Sequence, residues 1–297
     1  MQALRHPLPD GRWHFQHGPI DIVIGADGEP AAVQAAHEAA WSRFSTVLGE
    51  LVAELPLLRR QVQGPCPLRG VIAQRMWCAC RPHHTEFITP MAAVAGAVAQ
   101  ELIAPYAVPG IQRAWVNNGG DIALHLAAGQ SLRIGLFADL ARLDAARLPH
   151  GLALDGRFVI AAASPVRGIA TSGWRGRSFS LGIADSVTVL ATTAAAADAA
   201  ATMIANAVAV DAPGIERQPA NTLKDDSDLG ELPVTVHVPP LSVEHRHAAL
   251  QAGLQRARDL QARGLIVAAA LACQGELVLT ALPPPITEPE PSPEATP

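Results

Sequence analysis

Apolar and polar residues alternate through Ile20-Asp21-Ile22-Val23-Ile24, which predicts a β-strand closed by Gly25-Ala26-Asp27-Gly28. Pro30 then stands where a helix begins. Residues 31–58 carry Val33, Ala40, Phe44, Leu48, Leu51 and Leu55 at roughly helical spacing, with Pro56 ending or kinking the run. A second helix is expected over 91–102, after Thr89-Pro90, because proline suits a first turn. Strands are expected at 113–116 and 122–126, on either side of Asn117-Asn118-Gly119-Gly120, and again at 131–137, 157–161 and 185–191. The last is rich in Val and Thr and leads through Thr192-Thr193, both N-cap formers, into an Ala-rich helix over 194–210. Residues 213–233 are polar and full of turn formers, and read as a loop excursion. An amphipathic helix over 241–263, ended by Gly264, precedes a closing strand pair at 265–271 and 276–279 around Gln274-Gly275. Residues 281–297 are mostly Pro, Glu, Ser and Thr and read as a disordered tail. Helices and strands interleave without a regular βαβ rhythm. The expected class is therefore α+β, mixed sheets with packed helices, in one domain over 1–280.

Composition narrows the picture. Hydrophobic residues make up 49% of the 297 and charged ones 16%, enough to bury a core built mainly from Ala, Val, Leu and Ile. The net charge of −5 argues against nucleic acid as a partner, since that footprint needs surplus Lys and Arg. Only a local basic patch is left for phosphate. The most apolar run, 187–210, is interrupted by Asp198 and Asn206 and falls short of a membrane span of ~20 apolar residues. The N-terminus lacks the basic-then-apolar order of a signal peptide. Four cysteines, Cys66, Cys78, Cys80 and Cys273, are too few for a disulfide scaffold. A cytoplasmic protein with no membrane partner is the expectation.

Three segments carry candidate chemistry. Asn117-Asn118-Gly119-Gly120-Asp121 tolerates positive φ and can turn its N–H groups toward an anion, although taken alone it reads first as an ordinary hairpin turn. In the segment 168–178, Thr171, Ser172, Gly173 and Ser178 stand beside Arg167, Arg175 and Arg177, a set able to cradle phosphate oxygens or to serve as a solvated loop. In the Ala-rich helix Asp198, Thr202 and Asn206 recur every four residues and so share one face. Polar groups on a mostly buried helix must find partners, because an unsatisfied one costs ~1–3 kcal/mol. Asp and Thr oxygens one turn apart can ligate Mg²⁺; alternatively Asp198 favours the helix amino end and Thr202 bonds back to its own helix. Cys78, Cys80, His83 and His84 have zinc-binding atoms, but their spacing matches no common structural site.

Taken in order, Pro90-Met91-Ala92-Ala93-Val94-Ala95-Gly96-Ala97, Asn118-Gly119-Gly120-Asp121-Ile122, Thr171-Ser172-Gly173, the run from Ser178 to Asp185, and Ala197-Asp198 through Thr202 to Asn206 resemble the ApbE-like superfamily. Its best-known members are FAD:protein FMN transferases. The resemblance spans roughly the central half of the chain and is strongest to a branch with a short loop after the Thr-Ser-Gly turn. It implies a fold of two subdomains with the ligand site between them. It also implies a magnesium ion held at the positions of Asp198 and Thr202 that bridges the pyrophosphate of FAD, and transfer of FMN to a Thr hydroxyl of an acceptor protein. On this resemblance Asn118, Gly119, Gly120, Asp121, Thr171, Ser172, Gly173, Arg175, Arg177, Ser178, Asp185 and Asn206 would surround a phosphorylated ligand such as FAD or FMN. The chain departs from the transferases at Ala95, where they carry Lys, and between Ser178 and Asp185, where they carry a His-rich stretch. It has Arg177 where the short-loop branch has His. A non-catalytic binding protein or homo-oligomer such as a homodimer, and a cofactor-biosynthesis enzyme with a non-flavin substrate, stand as alternatives.

Overall fold

A computed structural model describes residues 2–136, 156–176 and 178–281. The expected tail from residue 282 and the end of the strand expected at 131–137 lie outside them. In chain order the strands are β1 (Leu4–Pro7), β2 (Trp13–His17), β3 (Ile20–Gly28), β4 (Ile111–Asn118), β5 (Asp121–Leu126), β6 (Ser131–Leu136), β7 (Gly156–Ala161), β8 (Gly168–Ser172), β9 (Ser186–Ala191), β10 (Glu216–Pro219), β11 (Pro233–His237), β12 (Ala268–Cys273) and β13 (Glu276–Leu279). The helices are α1 (Pro30–Ala53), α2 (Leu55–Leu58), α3 (Val71–Cys80), α4 (Val94–Ile103), α5 (Ala194–Ala207), α6 (Ala220–Leu223) and α7 (Val243–Ala262). A 3₁₀ turn, Pro90–Ala93, leads into α4.

Nine strands form one sheet in the order β1-β2-β3-β4-β5-β8-β9-β12-β13, with every neighbouring pair antiparallel. Side chains of a strand alternate between faces. On one face Ile22, Ile24, Val116 and Ala123 meet α1, α3 and α4 in a first core. Farther along that face Val187, Val189, Ala269 and Leu271 meet α5 and α7 in a second. On the other face Leu124, Leu126 and Ile169 pack with Leu132, Ile134 and Ile160 of the β6–β7 hairpin. This is the α+β class expected from the sequence.

Helix α5 belongs to both cores. Ala194, Ala195, Ala199 and Met203 join the first, and Ala197, Ala200, Ala201, Ile204 and Ala205 the second. Small side chains let neighbouring backbones come close. A Cβ on Gly96 would lie 2.3 Å from the Ala194 carbonyl oxygen, and one on Gly168 only 2.1 Å from the Ala194 nitrogen. Thr193 caps the helix as expected, its hydroxyl accepting the Ala196 N–H at 3.2 Å.

Several boundaries differ from the sequence expectation. Strand β3 runs through Gly25 to Gly28, because pairing with β4 continues and a Cβ at Gly25 would enter the Trp115 ring. The β1–β2 hairpin and α3 were not anticipated. The long first helix ends at Ala53, and Pro56 sits inside the separate turn α2. Residues 168–172, expected as part of a loop, are the interior strand β8, between β5 and β9; Gly168 is there because α5 begins against it. The excursion 213–233 contains β10 and α6 and returns to the body where the Thr235 N–H donates to the Ser180 carbonyl at 2.9 Å.

Candidate functional site

A cavity of about 270 Å³ opens where the third face of α5, the one in neither core, looks out. Asp198, Thr202 and Asn206 line it together, as their four-residue spacing requires. Asp121, Ser178, Ala95 and Thr89 line it as well.

Each side chain is set by an identifiable element. Asp121 is the first residue of β5, after the two-residue Gly119-Gly120 turn with φ of 67° and 111°. The Asn-Gly segment is thus a hairpin turn. Its contribution to the site is to hold Asp121 and Asn118, whose Nδ2 donates to the Ala95 carbonyl at 3.1 Å. The Thr171 N–H donates to Asp121 Oδ1 at 3.2 Å. Asp198 Oδ2 accepts the Gly96 N–H at 2.9 Å and so binds α5 to the first turn of α4. Asn206 Oδ1 accepts the Leu181 N–H at 2.9 Å and the Ser180 hydroxyl at 3.3 Å, fixing the wall that carries Ser178.

Electrostatically the floor is acidic. Asp198 retains some exposure as a residue, at the cavity, but its carboxyl group is enclosed by protein. Burial drives its pKa well above the ordinary carboxylate range, and repulsion from Asp121 drives it further, against the opposing pull of the Gly96 N–H. Asp121 is raised too, by burial first, with the Thr171 N–H opposing. Two enclosed carboxylates that repel each other suit a divalent cation, whose charge would relieve both. Among the described residues no three His, Cys, Asp or Glu side chains cluster to hold a metal alone. The donor set therefore fits a hard cation that completes its shell with water and phosphate oxygens, as Mg²⁺ does.

Other expected site residues lie elsewhere. Arg175 stacks over Trp174, 5.0 Å to the ring centroid, and its Nε sits 3.4 Å from Asp185 Oδ1. Asp185 Oδ2 also accepts the Gln274 N–H at 2.5 Å, so it ties the start of β9 to the β12–β13 turn. Gly173 has no room for a side chain, since a Cβ would lie 2.4 Å from the Asp185 carbonyl oxygen. The Thr171 hydroxyl pairs with that of Thr188 at 2.9 Å. Neither Ser172 nor Gly119 nor Gly120 lines the cavity. Arg177 lies outside the described residues. The Cys78, Cys80, His83 and His84 group forms no metal cluster among the described residues, and the Cys80 thiol donates to the Thr89 carbonyl at 3.3 Å.

The opposite wall was missed. Arg59, at the end of α2, and the segment 224–229 close the mouth. The Thr89 hydroxyl donates to Asp228, and Arg59 Nη2 lies 2.6 Å from Asp226 Oδ2. Residues 224–229 stand over a hundred positions from Thr89, so no local pattern could announce the contact.

The family model described as "AbpE bacteria" matches residues 5–279, and the chain belongs to that family. This bears out the resemblance carried by the short motifs. The chain is also similar to a UPF0280 protein of Methanopyrus kandleri, 34% identical over 73% of this chain and 83% of the relative. A UPF0280 protein of Methanosarcina acetivorans is 29% identical over 72% and 78%. Among solved structures, the apo form of the flavinyl transferase ApbE of Pseudomonas stutzeri matches 95% of this chain and 94% of its own, at 12% identity and a TM-score of 0.44. Among the described residues no helix is long and apolar enough to cross a membrane.

Proposed function

We propose that this protein binds a phosphorylated ligand of the flavin-nucleotide class together with Mg²⁺, and transfers a nucleotide group from it to a hydroxyl acceptor, the acceptor oxygen bonding to the flavin-side phosphorus as the pyrophosphate bond breaks and, with FAD as donor, AMP leaves. One observation carries the proposal: Asp198 and Thr202, the positions that match the magnesium ligands of the transferases, share a cavity wall with the enclosed carboxylate of Asp121. Asp198 and Thr202 would hold the ion, which when bound supplies neutralisation of pyrophosphate charge. The protein's own part is positional. Gly96 fixes the Asp198 carboxylate, Asn206 fixes the 178–181 wall, and the buried floor excludes water from the phosphates. Asp228 already accepts a hydrogen bond from a hydroxyl, that of Thr89, and is the carboxylate suited to take the acceptor's proton.

Incubation with FAD, Mg²⁺ and a candidate acceptor protein, followed by intact-mass measurement, tests this. The expected product is an FMN-sized adduct on the acceptor that disappears with Asp198→Asn. A second reading, ligand binding without transfer, is favoured by Ala95, which puts no cation where the transferases carry Lys. It predicts calorimetric binding of FAD with Mg²⁺ and no adduct on any acceptor.

A further inference from the structure

The cavity is bipolar. Its floor carries Asp121 and Asp198, whereas Arg59 and Lys224 are the two cationic side chains that line it among the described residues. Both cations lean on one carboxylate. Arg59 Nη2 is 2.6 Å and Lys224 Nζ 3.8 Å from Asp226, and Arg59 supplies the larger attraction. The Asp226 and Lys224 side chains keep 57% and 66% of their surface exposed, so this pairing sits in solvent and contributes little net stability.

We propose that Arg59 and Lys224 form a second phosphate subsite at the cavity mouth, and that Asp226 occupies it as an internal stand-in which an incoming phosphate displaces. The inference rests on the reading of the floor as a cation-and-phosphate site and extends it: the ligand must present two linked phosphates, one toward the floor and one toward the rim. A guanidinium matches phosphate in bidentate geometry, and two linked phosphates together carry more charge than the single carboxylate one of them replaces. The arrangement also answers Ala95. The positive charge absent from the 3₁₀-to-α4 turn is supplied from the opposite wall, out of segments that no local motif connects.

Inorganic pyrophosphate in Mg²⁺ buffer is the probe, measured by titration calorimetry on the full chain. Arg59→Gln should weaken its binding about tenfold or more, as loss of a charge-assisted hydrogen bond does. Asp226→Asn, which removes the competitor, should tighten it about threefold, and that gain should vanish in the Arg59→Gln background. Any other pattern overturns the inference. Asp226 is solvent-exposed and Arg59 half-buried at the rim, and unchanged melting temperatures will show that the variants fold. The same titrations with FAD separate the two ideas. Pyrophosphate following this pattern while FAD does not bind would leave the subsite and remove the flavin reading. Equal FAD affinity in all variants would remove the subsite and leave the flavin reading.

Discussion

Asp198 has two jobs that one pair of substitutions should separate. Its Oδ2 accepts the Gly96 N–H at 2.9 Å, and its charge faces Asp121 across the cavity floor. Asp198→Asn keeps an acceptor oxygen. Where Asp198 is ionised, above its raised pKa, a hydrogen bond to this charged acceptor is worth ~1.5–3 kcal/mol and one to a neutral acceptor ~0.5–1.5, so the bond alone weakens by about 1 kcal/mol. Ending the burial of a charge and the repulsion from Asp121 offsets that loss, and the variant should stay within ~1 kcal/mol of the parent. Asp198→Ala instead strands the Gly96 N–H and should cost ~1–3 kcal/mol. Ligand linkage then reports the charge. At a hundredfold excess over Kd the parent should gain ~2.7 kcal/mol from FAD with Mg²⁺, a rise of roughly 5 °C in melting temperature for a chain of this size. The Asn variant should show almost none. Calorimetric melts with and without the pair of ligands measure both effects. Equal ligand-induced shifts in parent and Asn variant, or an Asn variant as unstable as the Ala variant, would refute the reasoning.

Three further outcomes follow from the same geometry. Because Asp121 and Asp198 have raised pKa values in the folded state, the native protein holds protons that the unfolded chain has lost above about pH 4. Stability should therefore fall as pH rises from there through the raised values, and urea denaturation across pH 4–8 should show that slope reduced in Asp198→Asn. Gly96→Ala would place a methyl 2.3 Å from the Ala194 carbonyl oxygen and 2.9 Å from Asp198 Cβ. It should cost ~1–3 kcal/mol by forcing α4 from α5, and should abolish Mg²⁺-dependent binding in the same calorimetry. Thr89→Val removes the donor that anchors Asp228, so amide hydrogen exchange across 224–229 should speed up several-fold while exchange in α5 stays slow.

The segments easiest to read were those whose burial repeats along the chain. Helix α5 was legible in both its extent and its polar face: Thr193 as cap, Ala at most positions, and Asp198, Thr202 and Asn206 at a spacing that forces one face. Strands β4, β5 and β9 were legible for the same reason. Strand β8 was not, because Gly168 and the hydroxyls of Thr171 and Ser172 suit a loop until α5 and Thr188 are laid against them. The surroundings of Arg175 were not legible either. Arg175 has the right charge for phosphate, but Trp174 and Asp185 hold it elsewhere.

What the amino-acid order determined by itself was the periodic part: an α+β frame of short strands with Ala-rich helices, a polar stripe on the one helix that is otherwise apolar all round, and an ordered set of short motifs that placed the chain in its family. Those features follow from interactions within a few residues, where side-chain direction is fixed by the backbone period. The tertiary structure alone decided which face of the stripe stays open, that Gly96 grips Asp198 across 102 positions, and that Arg59 and 224–229 form the far wall. Those are contacts between distant segments, chosen by how two cores pack on either side of α5, and no local periodicity encodes them.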